Sequence, residues 1–156
     1  MLFSPLKRNN ESRSVTGCRQ LLSALKKAHT DLSVAMAAVD ILTRNPLPSR
    51  AEFTNMRWQV SKASLSRRLL WGRILRYLLP KVGTSDSSKL ALLQSADMEL
   101  LHLSARHVDK WTAVTVEADW LGYCKASAAI RARIMTSINA EQRLLYPILE
   151  HDGRGI

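Results

Sequence analysis

The chain has 156 residues and a mass of 17.5 kDa, so it is the size of one ordinary domain and too short for an enzyme with a separate cofactor-binding domain. A composition of 46% apolar and 23% charged residues, with six glycines and five prolines, excludes a disordered chain and a glycine-rich barrel. The excess of 23 lysines and arginines over 13 acidic residues gives a formal charge of +10, which attracts polyanions, anionic membranes and acidic proteins alike.

Cysteine number and hydropathy indicate the compartment. The two cysteines, Cys18 and Cys124, are too few and too far apart for a disulfide framework or a cysteine metal cluster. No apolar run approaches the roughly 18 residues that a membrane span needs. The opening sequence MLFSPLKRNNESRS has no apolar signal-peptide core. These features predict a cytoplasmic protein without a transmembrane segment.

Domain boundaries follow from changes in composition along the chain. Residues 1–16 are polar and contain Pro5 and several serines, so we expect a flexible lead-in. The helical pattern fills residues 17–150, which are expected to fold as one domain. Residues 151–156 are expected to form a short tail.

Four long helices are predicted, because apolar residues recur three and four positions apart. They cover about residues 21–44, 50–79, 88–110 and 116–149. Proline-containing or polar segments separate them, since proline removes a backbone donor and disfavours helical geometry in the residue before it. Long helices with short loops, and no alternation of period two, predict an all-α fold. The expected architecture is an antiparallel up-down-up-down four-helix bundle.

A repeat at an offset of 67 residues relates the second and fourth helices. Residues 74–80 read ILRYLLP and residues 141–147 read EQRLLYP, so in each an arginine precedes three bulky residues and a helix-terminating proline. On this repeat, over roughly residues 20–149, the chain resembles the hemerythrin-like family, in which each half carries a His-x-x-x-Glu pair ahead of a Leu-Tyr-Pro or Leu-Phe-Pro ending. The segments KKAHTDL, KWT and ADWLGY add to the resemblance.

The resemblance implies a bundle in which imidazoles and carboxylates from several helices hold two iron atoms. Here Leu70 and Ile74 stand at the ligand positions of the second helix, and neither side chain can bind a metal. Ser137 stands where the fourth-helix histidine is expected, whereas Glu141 keeps the carboxylate and His29 occupies the first-helix position. We therefore expect no resident cofactor, with a residual iron site as the alternative.

Three inward residues are the candidate ligands of that residual site: His29, His107 and Glu141. The structural alternative for the two histidines is a hydrogen-bonded place in the core. A buried carboxylate is costly unless it is paired, and Arg67 lies on the same helical face as Leu70. An ion pair between Arg67 and Glu141 is therefore one hypothesis, and an Arg67 that extends outward to solvent is the other.

The second helix is strongly basic, with eight basic residues and the single acid Glu52 over residues 50–81. On a helical wheel, one set of basic and apolar residues falls opposite the core. This set is Arg57, Trp58, Lys62, Leu65, Arg68, Leu69, Arg73 and Arg76. Interleaved cationic and apolar side chains are typical of a docking surface for an acidic protein, a phosphate backbone or an anionic lipid surface. A merely solvated face, or one that packs on a second subunit, is the alternative.

Motifs of nucleotide-binding proteins, zinc proteases and serine hydrolases are absent, so an enzyme is not expected. The leading interpretation is a non-enzymatic regulatory or interaction module that binds an acidic protein or a second copy through the second helix. One alternative is an oxygen or redox sensor that keeps iron. A nucleic-acid-binding protein is the third interpretation, although no helix-turn-helix pattern supports it.

Overall fold

The computed structural model describes residues 6–152, with side chains described from residue 17 onward. All regular structure in this range is helical. The helices are α1 (Leu6–Thr43), α2 (Arg50–Leu78), α3 (Thr84–Lys110), α4 (Ala113–Ala118) and α5 (Trp120–Asp152). The predicted all-α class is therefore confirmed over the described residues, with five helices where four were expected. None of these helices combines the length and the apolar character needed to cross a membrane.

The start of α2 is fixed by a capping box. The Ser49 hydroxyl accepts a hydrogen bond from the backbone N–H of Glu52 at 3.2 Å, and the Glu52 carboxylate accepts one from the backbone N–H of Ser49 at 2.9 Å. Both otherwise unpaired donors at this end of the helix are thereby satisfied. At the other end, α2 stops at Leu78, close to Pro80. The predicted range of the second helix is correct to within one residue.

The first helix begins earlier than its apolar pattern predicts. It starts at Leu6, directly after Pro5, so much of the expected lead-in is helical. The polar residues of this segment have no apolar stripe, but nothing in it breaks a helix, and this is why periodicity alone does not reveal the extension. Residues 1–5 of the lead-in and 153–156 of the tail lie outside the described residues, and His151 and Asp152 form the end of α5.

The short helix α4 begins inside the expected break at residues 111–115 and continues to Ala118, so it includes the first residues of the predicted fourth helix. A second break follows at Asp119, which corrects the prediction of one continuous helix from about residue 116. The Thr112 hydroxyl accepts the backbone N–H of Thr115 and so caps α4. The Asp119 carboxylate accepts the backbone N–H of Gly122 at 2.9 Å and caps α5 in the same way.

Pro147 does not end the last helix, which corrects the expectation drawn from the repeat. It lies inside α5, and the helix continues to Asp152. Contacts beyond the proline hold this extra turn: the Cys18 thiol donates to the carbonyl of Leu149 at 3.0 Å, and the Tyr77 hydroxyl donates to Asp152 at 2.6 Å. Tertiary contacts thus outweigh the backbone hydrogen bond that a proline removes.

Close packing joins α1 to α2, α1 to α5, α3 to α5 and α4 to α5. The backbones of α2 and α3 approach each other less closely than those of these pairs.

Three apolar clusters fill the core along its length. The first consists of Cys18, Leu21, Leu25, Ala28, Leu70, Trp71, Ile74, Leu78, Leu90, Leu145 and Leu149. The second consists of Leu32, Met36, Leu100, Ile134 and Ile138. The third consists of Val39, Phe53, Met56, Trp111, Val116 and Tyr123. Along α1 and α5, the buried His29 and Glu141 fall between members of the first and second clusters, so polar side chains interrupt the core there.

Candidate functional site

Arg67 on α2 lies at the centre of the buried polar residues. Its side chain is 2% exposed, and its guanidinium donates to the Glu141 carboxylate through Nη1 and to Asp97 Oδ1 through Nη2 at 2.7 Å. One cation therefore bridges carboxylates from α3 and α5. Two hydrogen bonds to buried carboxylates compensate the charge of Arg67, and its Nε has no hydrogen-bond partner among the described residues.

His29 on α1 completes the connection among the four long helices. Its Nε2 lies 2.7 Å from Glu141 Oε2, and its Nδ1 lies 2.7 Å from the Tyr146 hydroxyl. In a neutral ring, Nε2–H donates to the carboxylate and Nδ1 accepts from Tyr146. Burial, and then the negative charge of Glu141, raise the pKa of Tyr146, so this hydroxyl keeps its proton. We refer to His29, Arg67, Asp97, Glu141 and Tyr146 as the central ion-pair network.

The residues of the central ion-pair network do not fit the di-iron site that the family resemblance implies. A guanidinium bonds the Glu141 carboxylate, and both ring nitrogens of His29 are engaged by protein groups. Leu70 and Ile74 are buried in the first apolar cluster beside the network. Within the described part of the chain, no group of three or more histidine, cysteine, aspartate or glutamate side chains is arranged to hold a metal ion.

His107 lies apart from the other two candidate ligands, so the expected trio of His29, His107 and Glu141 is corrected. Its ring is 5.7 Å from that of Tyr123, a member of the third apolar cluster. Burial, and then the nearby charge of Arg57, lower the pKa of His107, which favours the neutral ring. The structure brings His29 and Glu141 together and leaves His107 in a different part of the core.

Two of the basic residues expected opposite the core lie elsewhere. Arg57 and Arg68 are half-buried and face the space between α2 and α3. The Arg57 guanidinium stacks over the Phe53 ring at 4.6 Å, and Arg68 Nε lies 4.0 Å from Asp97 Oδ2. The wider separation of α2 from α3 leaves room for these long side chains, which a helical wheel of one helix does not show.

The remaining members of the basic set lie on the solvent side of α2. Lys62, Arg73 and Arg76 are exposed, and Trp58, Leu65 and Leu69 are 55%, 53% and 64% exposed. The Lys62 ammonium lies 4.8 Å from the centroid of the Trp58 ring. We call these six residues the outer face of α2. Its alternating cations and apolar side chains are open to a partner.

A cavity of about 420 Å³ lies between α2 and α3, and residues of α1 and α5 also line it. We call it the α2–α3 groove. Its polar and charged lining residues are Arg57, Ser61, Ser64, Arg68, Ser104, His107, Asp109, Ser127 and Arg131. No local sequence pattern predicts this groove, because the groove depends on the distance between two helices.

The sequence does hold a signal for the missed member Asp97. This residue falls within the predicted inward stripe of the third helix, and an aspartate among inward leucines needs a cationic partner. Tyr146 carries a weaker signal, since a tyrosine beside the helical proline has many possible partners.

Neither a protein-family model, nor a curated protein, nor a solved structure matches this chain. Three features of the molecule therefore bear on its function: the central ion-pair network, the outer face of α2 and the α2–α3 groove.

Proposed function

We propose that the chain is a divergent hemerythrin-like four-helix bundle that has exchanged a di-iron site for the central ion-pair network and acts as a non-enzymatic interaction module. One observation carries this proposal: the buried guanidinium of Arg67 bridges Glu141 and Asp97 where the family pattern expects metal. A guanidinium supplies the positive charge that inward carboxylates need, and it does so without a coordination shell.

The distribution of the core supports the bundle part of the proposal. The first apolar cluster joins the early part of α1 to the late parts of α2 and α5. The third cluster joins the end of α1 to the start of α2 and the start of α5. Each of these neighbours therefore runs opposite to α1, as an up-down-up-down arrangement requires. The short α4 is then an insertion in the connection between the last two long helices.

In this proposal, the outer face of α2 binds an acidic protein. Three cations flank three exposed apolar side chains, and the single acid of α2, Glu52, is engaged in the capping box at the far N-terminal end. Such a face pairs with carboxylates for orientation and with apolar groups for affinity. The alternatives, a second copy of the chain and nucleic acid, are distinguishable outcomes of the experiment.

The experiment compares two triple variants in capture from cell lysate, followed by rebinding of the identified and purified partner. The first variant reverses the three positive charges of the outer face and carries Lys62→Glu, Arg73→Glu and Arg76→Glu. The matched control uses Arg106→Glu, Lys125→Glu and Arg143→Glu, which change the same charge at exposed sites on α3 and α5. We expect the first variant alone to lose binding to an acidic protein, with helicity unchanged in both.

Three results would contradict this assignment. Capture that disappears on nuclease treatment indicates nucleic acid, and a dimer in sedimentation velocity that only the outer-face variant disrupts indicates a second copy. Equal loss in both variants indicates that overall charge, rather than this face, governs binding. The expected result includes a steep loss of binding with salt, since exposed charges are screened over about 10 Å at 0.1 M ionic strength.

A further inference from the structure

The α2–α3 groove has the dimensions of a small-molecule site. Its volume of about 420 Å³ falls within the range of roughly 300 to 1,000 Å³ that ligand pockets occupy. Four helices line it, and its opening lies between α2 and α3, where exposed residues such as Ser61 and Val108 form the rim. The groove is therefore deep enough to shield a ligand and open enough to admit one.

The floor of the groove is apolar. Met36 from α1, Met56 from α2, Leu101 from α3 and Ile134 from α5 contribute to it. Methionine side chains are flexible and adapt to apolar ligands of different shape. A hydrocarbon or aromatic body is the chemistry that such a floor accommodates.

The charge on the walls is mostly positive. Arg57, Arg68 and Arg131 face the groove against one carboxylate, that of Asp109 at the exposed rim. Arg131 is occupied, since it lies 3.5 Å from Asp40 and donates to the Ser127 hydroxyl at 3.2 Å. The lowered pKa of His107, to which the charge of Arg57 contributes, is consistent with a positive field in the groove.

Arg57 and Arg68 contribute two guanidinium groups to these walls. Nη2 of Arg57 and Nε of Arg68 make no hydrogen bond among the described residues, and Arg68 Nε lies 4.0 Å from the Asp97 carboxylate. These two atoms are shielded from the groove, so a bound anion reaches the guanidinium groups through their other nitrogens or after a rotation of the side chains.

We propose that the α2–α3 groove binds an amphipathic anion, a small molecule with an apolar body and one carboxylate or phosphate group. The apolar body lies on the methionine-rich floor, and the anionic group accepts hydrogen bonds from Arg57 and Arg68. A guanidinium presents its donors in a fork that matches either head group. The proposal is independent of the outer face of α2, which lies on the solvent side of the same helix.

Isothermal titration of the full chain with four ligands of equal chain length tests this proposal. Sodium decanoate and decyl phosphate are the anionic probes, and decanol and decyltrimethylammonium are the neutral and cationic controls, all below their micelle-forming concentrations. We expect saturable binding of one anion per chain and weaker binding of both controls. The tighter of the two anions identifies the head group as carboxylate or phosphate.

Variants locate the binding. Arg57→Gln should weaken anion binding by about ten- to one-hundred-fold, the usual effect of losing a hydrogen bond to a charged group. Arg143→Gln, the same substitution at an exposed site on α5 outside the groove lining, should leave binding unchanged. Arg57→Gln also removes the contact of the guanidinium with the Phe53 ring, so a modest fall in the free energy of unfolding is expected, and circular dichroism must show native helicity before the loss of binding is attributed to the anion contact.

A second variant fills the groove without changing charge. Ser64→Phe places a ring in the space between α2 and α3 and should abolish binding of the anions and of decanol. Decanol that binds as tightly as decanoate contradicts the proposal, as does anion binding that Arg57→Gln leaves unchanged or that persists in Ser64→Phe. So does the absence of saturable binding by both anions.

Discussion

Arg67 and Glu141 form an ion pair in which both side chains are buried, at 2% and 0% exposure. Each also has a second partner, Asp97 for the arginine and His29 for the glutamate. A buried pair of this kind adds little stability over an apolar core of similar shape, but loss of one partner leaves an uncompensated charge. The pair therefore fixes which residues of α2 and α5 face each other.

Replacement of Arg67 tests this relationship. Arg67→Met removes the cation that bridges the two carboxylates and leaves Asp97 with Arg68 Nε at 4.0 Å and Glu141 with His29, so the free energy of unfolding should fall by about 3 to 5 kcal/mol. Arg73→Met, an exposed site on the same helix, should change it by less than about 0.5 kcal/mol. Urea unfolding followed by circular dichroism measures both.

Removal of all three charges should behave differently from removal of one. The variant Arg67→Met, Asp97→Leu and Glu141→Leu removes the three buried charges but leaves His29 Nε2 without its carboxylate, so part of the stability lost in Arg67→Met should return. If the triple variant is as unstable as the single one, uncompensated charge is not the cause of the loss.

Introducing the ligand pattern of the proposed hemerythrin-like alignment should create partial metal binding. Leu70→His, Ile74→Glu and Ser137→His complete two His-x-x-x-Glu pairs, because residues four apart lie on one helical face. Since Arg67 bonds Glu141, the same variant with Arg67→Ala should bind more iron than the variant that keeps Arg67. Folded variants that take up no more iron than the parent would argue against the alignment at the offset of 67 residues.

The lowered pKa of His107 predicts a pH dependence of stability. The unfolded chain binds a proton at this residue near its ordinary pKa of about 6.5, whereas the folded protein binds it only at lower pH. The unfolded state therefore holds more protons between the two pKa values, and the free energy of unfolding falls as pH drops below about 6.5. Above that pH the contribution of His107 to stability is fully present.

Matched variants on α3 isolate this contribution. His107→Gln should lose less stability than the parent between pH 7.5 and pH 5.5, and His102→Gln, at an exposed site, should lose as much as the parent. Identical pH profiles for His107→Gln and the parent would mean that the ring titrates alike in the folded and unfolded states.

A pair of glycines tests the cap of α5. Gly72 in α2 has open space around its Cβ position, so Gly72→Ala should stabilise by about 0.5 to 1 kcal/mol. A Cβ at Gly122 would overlap the Asp119 carboxylate that caps α5, so Gly122→Ala should weaken a cap worth about 0.5 to 2 kcal/mol, and this loss offsets the gain from alanine. Thermal unfolding should therefore show less stabilisation for Gly122→Ala than for Gly72→Ala, and equal stabilisation would contradict the role of Asp119.

The positions of Arg67 and Glu141 on inward stripes can be read from the sequence, because helical periodicity decides which residues share a face. Arg57 and Arg68 show where this reasoning stops. Their place in the α2–α3 groove depends on the distance between two helices, which periodicity within either helix does not contain. Gaps between helices, and hence cavities, follow from packing of the whole core.

Some helix ends can also be predicted from the sequence, and others cannot. Ser49 and Glu52 form a local capping signal, and the start of α2 agrees with it. Pro147 is a local stop signal that distant contacts override, through Cys18 and Tyr77. A local sequence signal therefore predicts where a helix ends only if tertiary contacts do not favour continuing the helix.

Iron content tests the central claim most directly. The chain is expressed with added iron, purified, and measured by elemental analysis against protein concentration. Because Arg67 bridges the carboxylates, and Leu70 and Ile74 fill the second-helix positions, we predict well below one iron per chain. Stoichiometric iron, with the absorption band of an oxo-bridged pair, would contradict the claim that an ion pair has replaced the metal centre.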